Sequence, residues 1–129
     1  DAARALAEHI AGTEARFAGI MNGRAAQLGM KDTRFTNSAG HHNPNHYTTA
    51  NDLVLLTEAA LARPLFRELV SKVRYDIRTV NGKRHFKLEN SNKLLPKYDG
   101  MVGVKTGYTP EAGRCLIALA ERDGVTWNE

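Results

Sequence analysis

A lysine, a hydroxyl residue and a glycine stand in series at Lys105-Thr106-Gly107, preceded by Val104 and followed by Tyr108 and Thr109. On an extended strand such a run offers a cation and a hydrogen-bond donor to a carboxylate, while glycine lets a ligand backbone come close. The same three residues also fit an ordinary strand end with a surface lysine. The surrounding chain has to decide between the two.

Other residues that bear chemistry read as structural. His42 and His46 are four apart, a spacing that suits a zinc pair on a helix, but Pro44 between Asn43 and Asn45 makes the segment a loop. No cysteine or glutamate nearby completes a metal site, so no metal is expected. His9 and His85 read as surface or partly buried imidazoles. Cys115, beside Leu116 and Ile117, is expected as a small apolar core residue, because an activated thiolate needs a positive, exposed setting. Asn22 and Asn92 are expected to bond backbone groups.

The elements that must position the lysine run begin with helices. Leu6, Ile10, Phe17, Ile20, Met21 and Leu28 recur at spacings near three and four, which puts them on one helical face. Gly12-Thr13 splits the stripe, glycine closing one helix and threonine capping the next, which ends before Gly29. Residues 34–48 hold Asn37, Ser38, Gly40, Asn43, Pro44 and Asn45 and predict a long ordered loop. Thr49 and Asp52 resemble a capping box before a third helix with Leu53, Leu56, Ala60 and Leu61 as its apolar stripe. Pro64 opens a short fourth helix reaching about Lys72.

The period then changes to two. Val73, Tyr75, Ile77 and Thr79 alternate with Arg74, Asp76 and Arg78, predicting a strand with one buried face, and Asn81-Gly82 is a hairpin turn before Lys83 to Leu88. A second pair is expected at 101–107 and 114–120, joined through 108–113, with a further strand at 125–127. Helices over 1–72 and antiparallel strands over 73–129 give an α+β class, read as one partial domain.

The bulk numbers permit a core, with 42% hydrophobic and 25% charged residues, and no run approaches the roughly 18 apolar residues of a membrane helix. One cysteine excludes an internal disulfide and leaves the compartment unread. The net charge of +4 fits anionic polymers or plain solubility. Arg74, Arg78, Lys83, Arg84 and Lys87 are spread through the hairpin with Asp76 among them, not arranged as a nucleic-acid platform.

Taken together, Leu6 to Glu14, Phe17 with Met21-Asn22, Leu28 to Phe35, Tyr47 to Leu53, Asn90 to Leu95 and Gly103 to Gly113 resemble serine-type D-alanyl-D-alanine carboxypeptidases, in order and approximate spacing. The resemblance covers nearly the whole chain. It implies a penicillin-binding, β-lactamase-like transpeptidase fold, present in part. Of the family's three motifs, S-x-x-K, S-x-N and K-T-G, only the third is here. Ser38, Ser71 and Ser91 are the serines, and none has a lysine three positions on or an asparagine two positions on. The S-x-N motif is expected just before Asp1, so the nucleophile-bearing half is expected outside these residues.

With that half, the resemblance implies an acyl-enzyme that trims peptidoglycan stem peptides and is acylated by β-lactams. Lys105 would attract the terminal carboxylate, Thr106 would bond it and Gly107 would admit the substrate backbone. The N–H of Tyr108 would donate to the oxyanion. No cofactor is implied. A periplasmic or other extracytoplasmic location follows from the substrate, with any membrane anchor in segments not present. A D,D-endopeptidase, a β-lactamase and a non-catalytic wall-binding module stay open. The histidine-rich loop 40–46 departs from the family's glycine-leucine continuation, and polymer preference is expected to differ with it. Alone, the 129 residues are expected to leave apolar faces uncovered unless a complementary chain covers them.

Overall fold

The computed structural model describes residues 2–128. Four helices precede five strands: α1 (Ala2–Ala11), α2 (Glu14–Gln27), α3 (Ala50–Leu61), α4 (Pro64–Val70), β1 (Arg74–Arg78), β2 (His85–Glu89), β3 (Met101–Thr109), β4 (Gly113–Arg122) and β5 (Val125–Asn128). The chain divides into two compact units, residues 2–60 with 107–114 and residues 61–106 with 115–128. None of the helices is long and apolar enough to cross a membrane, among the described residues.

In the first unit, the break between α1 and α2 falls where the sequence puts it. Gly12 has φ +80, and the Thr13 hydroxyl accepts from Arg16 N at 3.2 Å as the cap of α2. No residue of the apolar stripe is fully buried, Phe17, Met21 and Leu28 being half-buried. Leu6 and Ile10 are each 62% exposed and Ile20 is exposed too, whereas Ala7, Ala18 and Ala25 are buried. Alanine lets backbones approach closely, so small side chains make the buried face and the large ones are left outward.

Residues 34–48 form the expected loop, stitched along its length. Arg34 and Tyr47 pair as an antiparallel bridge. Asn22 holds the loop's start, its amide donating to Phe35 O at 2.8 Å and its carbonyl accepting from Phe35 N at 2.7 Å. The Asn37 carbonyl accepts from the N–H groups of Ala39, Gly40 and His41. Of the anticipated capping box, one half forms: the Thr49 hydroxyl accepts from Asp52 N at 3.2 Å. The Asp52 carboxylate, 6% exposed, instead accepts from Asp32 N and the Thr33 hydroxyl, fastening α3 to the segment before the loop.

In the second unit, α4 starts at Pro64 as expected and ends at Val70, short of Lys72. β1 and β2 pair antiparallel with Arg74 opposite Glu89 and Arg78 opposite His85. The hairpin is there, with two corrections. Its turn is centred on Val80-Asn81, closed by Gly82 N donating to Thr79 O at 2.8 Å, and Gly82 takes the left-handed position after them. The Thr79 hydroxyl accepts from Arg84 N at 3.0 Å, which widens the loop by residues that a two-residue turn would have kept in the strands. Neither face of this hairpin is buried. Register sets Tyr75 against Leu88 and Ile77 against Phe86, so an apolar face exists, but it stays exposed.

The remaining strands form a sheet of order β3-β4-β5. β3 and β4 are longer than the sequence implies: β3 runs on to Thr109 and β4 to Arg122. β4 and β5 pair antiparallel around Asp123-Gly124, both with positive φ, the two-residue turn that an Asp-Gly pair favours. Among the described residues of this unit, Val104, Ala118, Leu119 and Ala120 are the buried apolar ones. The edge of the core is tied by an Arg67–Glu121 ion pair and by Arg122, which donates to the Tyr98 hydroxyl at 2.8 Å and lies over its ring.

Candidate active-site strand

β3 enters the core and leaves it within a few residues. Gly103 and Val104 are buried, and a Cβ on Gly103 would stand 3.0 Å from Val70 Cγ2, so the strand packs tightly on the end of α4 there. Lys105 then emerges exposed, Thr106 is half-buried, and Gly107 and Tyr108 are exposed, Tyr108 at 70%. Lys105 Nζ donates to the Thr106 carbonyl. The Thr106 hydroxyl is in hydrogen-bond contact with the Ser91 hydroxyl. Lys105 and Thr106 belong to the second unit, Gly107 and Tyr108 to the first.

The segment that carries Ser91 is fixed from both sides. Asn90 donates through Nδ2 to Val70 O at 3.3 Å and Lys72 O at 3.1 Å, and its N–H donates to Val73 O at 2.8 Å. Asn90 Oδ1 accepts from Asn92 N, and Asn92 Oδ1 accepts from Leu94 N at 3.0 Å. Asn92 is 4% exposed and its Nδ2 has no protein partner. Asn92 therefore bonds backbone as expected. Asn22 does so too, though its partner lies 13 residues away.

The other residues weighed from sequence fall outside this strand's chemistry. His46 accepts at Nδ1 from Thr36 N at 3.2 Å and meets Phe35 edge-on at 5.6 Å, and burial lowers its pKa. A neutral imidazole used as an acceptor is a packing element. His42 lies 3.9 Å from Glu111, and no group of three or more potential ligands for a metal occurs among the described residues. His85 faces Asp76 across the hairpin at 3.6 Å. Cys115 is exposed, which corrects its expected place in the core: the buried part of β4 starts only at Ala118.

The serines also have their partners. Ser38 donates to Glu14 Oε1 at 2.7 Å, and Ser71 donates to Glu68 O at 2.9 Å. Glu14 is a poor base for Ser38, because the hydroxyl and N–H of Ser38 hold its carboxyl below the usual carboxylate range. Ser91 shares its bond with another hydroxyl. A groove of about 760 Å³ lined by Lys72, Arg74, Tyr75, Leu88 and Glu89 runs along the hairpin, without any of residues 105–108. It holds no convergent nucleophile and base.

Comparison with known proteins agrees with the strand's composition. The chain is 38% identical over 125 residues to a D-alanyl-D-alanine carboxypeptidase of Bacillus subtilis, a match that covers 97% of this chain and 32% of that protein. It is similar to the solved D-alanyl-D-alanine carboxypeptidase of Mycobacterium tuberculosis, with a TM-score of 0.87 and 33% identity over 97% of this chain and 47% of that one. A Streptomyces DD-transpeptidase gives a TM-score of 0.81 and 37% identity over 86% of this chain and 44% of that one. The chain spans under half the length of these relatives. The fold is thus that of the DD-transpeptidases and penicillin-binding proteins over part of its extent, α+β as the residue pattern implies. Residues 1–128 match the family model for D-alanyl-D-alanine carboxypeptidase, peptidase S11, and the chain belongs to that family.

Proposed function

We propose that these residues are one part of the catalytic domain of a serine-type D-alanyl-D-alanine carboxypeptidase, with the nucleophile supplied by chain outside them. The observation that carries this reading is β3, which holds an exposed ammonium at Lys105 and a half-buried hydroxyl at Thr106 in the family's K-T-G order. Family membership supports the hydrolytic activity. The partners found for Ser38, Ser71 and Ser91 support a nucleophile elsewhere, since none of the three pairs with a lysine or histidine base.

In this reading a serine oxygen attacks the carbonyl between two D-alanines. The C–O bond forms, the C–N bond breaks, and the serine proton ends on the leaving D-alanine amine. Water then opens the acyl-enzyme and frees the shortened stem peptide. Lys105 lowers the energy of the bound terminal carboxylate and Thr106 donates to it. Gly107 leaves room for the substrate backbone, and Tyr108 N–H donates to the tetrahedral oxyanion. Peptidoglycan stem peptides and β-lactams are the partners, which sets the protein outside the cytoplasmic membrane. The exposed Leu6, Ile10, Tyr75, Ile77, Phe86 and Leu88 support a complementary segment that covers them.

The test is release of D-alanine from an N-acylated L-lysyl-D-alanyl-D-alanine by the full-length gene product. One equivalent of free D-alanine per peptide is expected. Cleavage confined to D-alanyl cross-linked dimers would make it an endopeptidase, and fast multiple turnover of penicillin a β-lactamase. Binding to wall polymer without cleavage of either peptide would leave a non-catalytic module.

A further inference from the structure

We infer that Ser91 is a positioning residue that sets the direction of the Thr106 hydroxyl and thereby gives the site its selectivity for a carboxylate over a carboxamide. The inference rests on the reading of Lys105 and Thr106 as the carboxylate site. Its own basis is the hydrogen bond between the Ser91 and Thr106 hydroxyls, made by a residue outside the three family motifs.

A hydroxyl has one proton to give and lone pairs with which to accept. In a pair of contacting hydroxyls one donates and the other accepts, and without a ligand either order satisfies both. If Thr106 donates to Ser91, its proton is spent and it faces the ligand with lone pairs only. A carboxylate can only accept, so it selects the other order: Ser91 donates to Thr106, and Thr106 donates to the ligand. Each bond in that chain polarises the next, and the last is charge-assisted. A carboxamide, which both donates and accepts, is served by either order and has no need of it. The Ser91 hydroxyl therefore strengthens binding of the anion selectively.

The surrounding bonds make this a built arrangement. Asn90 is tied to Val70, Lys72 and Val73, and Asn92 to Leu94 and Asn90, so the backbone on each side of Ser91 is held by groups other than its own side chain. Ser91 itself is exposed, and its hydroxyl is the side-chain atom this segment sets against Thr106. Lys105 Nζ, bound to the Thr106 carbonyl, fixes the same residue from its backbone side. Removal of the Ser91 oxygen leaves the segment anchored and the Thr106 hydroxyl free to rotate.

The experiment compares kcat/KM of the full-length gene product on an acyl-D-alanyl-D-alanine with that on its carboxamide-terminated counterpart, for wild type, Ser91→Ala and Ser91→Thr. Ser91→Ala is expected to lose about tenfold on the carboxylate and less than twofold on the carboxamide, as a hydrogen bond that serves a charged ligand should. Ser91→Thr is expected to recover most of the loss, and the thermal midpoint of both variants to stay near wild type. An equal loss on both substrates, or none on either, would overturn the assignment. A wild type without preference for the carboxylate would overturn the reading of the Lys105–Thr106 site and this inference with it, whereas a preference undiminished in Ser91→Ala overturns the inference alone.

Discussion

Replacement of Lys105 by glutamine in the full-length gene product is expected to lower kcat/KM for D-alanine release by roughly 100-fold. Glutamine keeps the length of the side chain and one donor but removes the charge, so the loss isolates attraction for the substrate carboxylate. Loss of a charge partner costs roughly 2–5 kcal/mol when the pair is desolvated, but Lys105 is exposed and its field is partly screened, which places the effect near the lower end of that range. Screening also sets the salt dependence: the gap between wild type and Lys105→Gln should narrow as ionic strength rises. Lys93, exposed and off the strand, serves as the control, and Lys93→Gln should stay within about twofold of wild type. A Lys105→Gln enzyme within threefold of wild type would remove the cation from the account of binding.

The largest effect on stability is expected at Gly100, where Gly100→Ala should cost about 3 kcal/mol or more and lower the thermal midpoint by roughly 6–12 °C. Two independent penalties add there. Its φ of +78 lies in the region that side chains avoid, worth about 1–2 kcal/mol. A Cβ would also stand 2.2 Å from Glu121 O and 2.8 Å from Arg122 Cγ. Backbone cannot retreat as a side-chain tip can, and Gly100 O accepts from Glu121 N at 2.9 Å, so any shift breaks a bond that joins the segment before β3 to the end of β4. Gly82 separates the two terms. Its φ is +68 with nothing near a Cβ, so Gly82→Ala should cost about 1 kcal/mol. Equal midpoints for the two variants would show that the close approach at Gly100 carries no energy.

Local signals in the sequence carried much of this fold, because they act through the residue's own backbone. Gly12 turns left-handed, Thr13 caps, Pro64 opens a helix, and the change of period at Val73 marks the passage from helix to strand. What the sequence misplaced depends on partners distant in the chain. The alternation of Tyr75 and Ile77 does encode an apolar face, but periodicity says nothing of what lies against it. The stripe of Leu6, Ile10 and Ile20 likewise marks one helical face without saying what covers it, while the alanines that are buried give no strong signal in a hydrophobic pattern. Cys115 has apolar neighbours that suggest burial, yet it lies ahead of Ala118, where β4 enters the core.

The candidate active-site strand is legible as a run of types, Lys105-Thr106-Gly107, and as a family resemblance over the chain. The contact of Ser91 with Thr106 was not legible. The two residues are 15 apart, joined through two asparagines whose bonds to Val70, Lys72 and Leu94 fix the segment only in three dimensions. In the sequence, Asn90 to Leu95 carries a family resemblance but no motif that points to Thr106. Asp123-Gly124 was a missed local signal, since Asp-Gly between two apolar runs is a strong hairpin turn.

If these residues complete an acyl-serine enzyme, incubation of the full-length gene product with a penicillin will change its intact mass. A gain of one penicillin mass is expected, with the adduct mapped to a serine other than Ser38, Ser71 and Ser91. An unchanged mass under conditions where the protein is folded, or an adduct on one of those three serines, would contradict it.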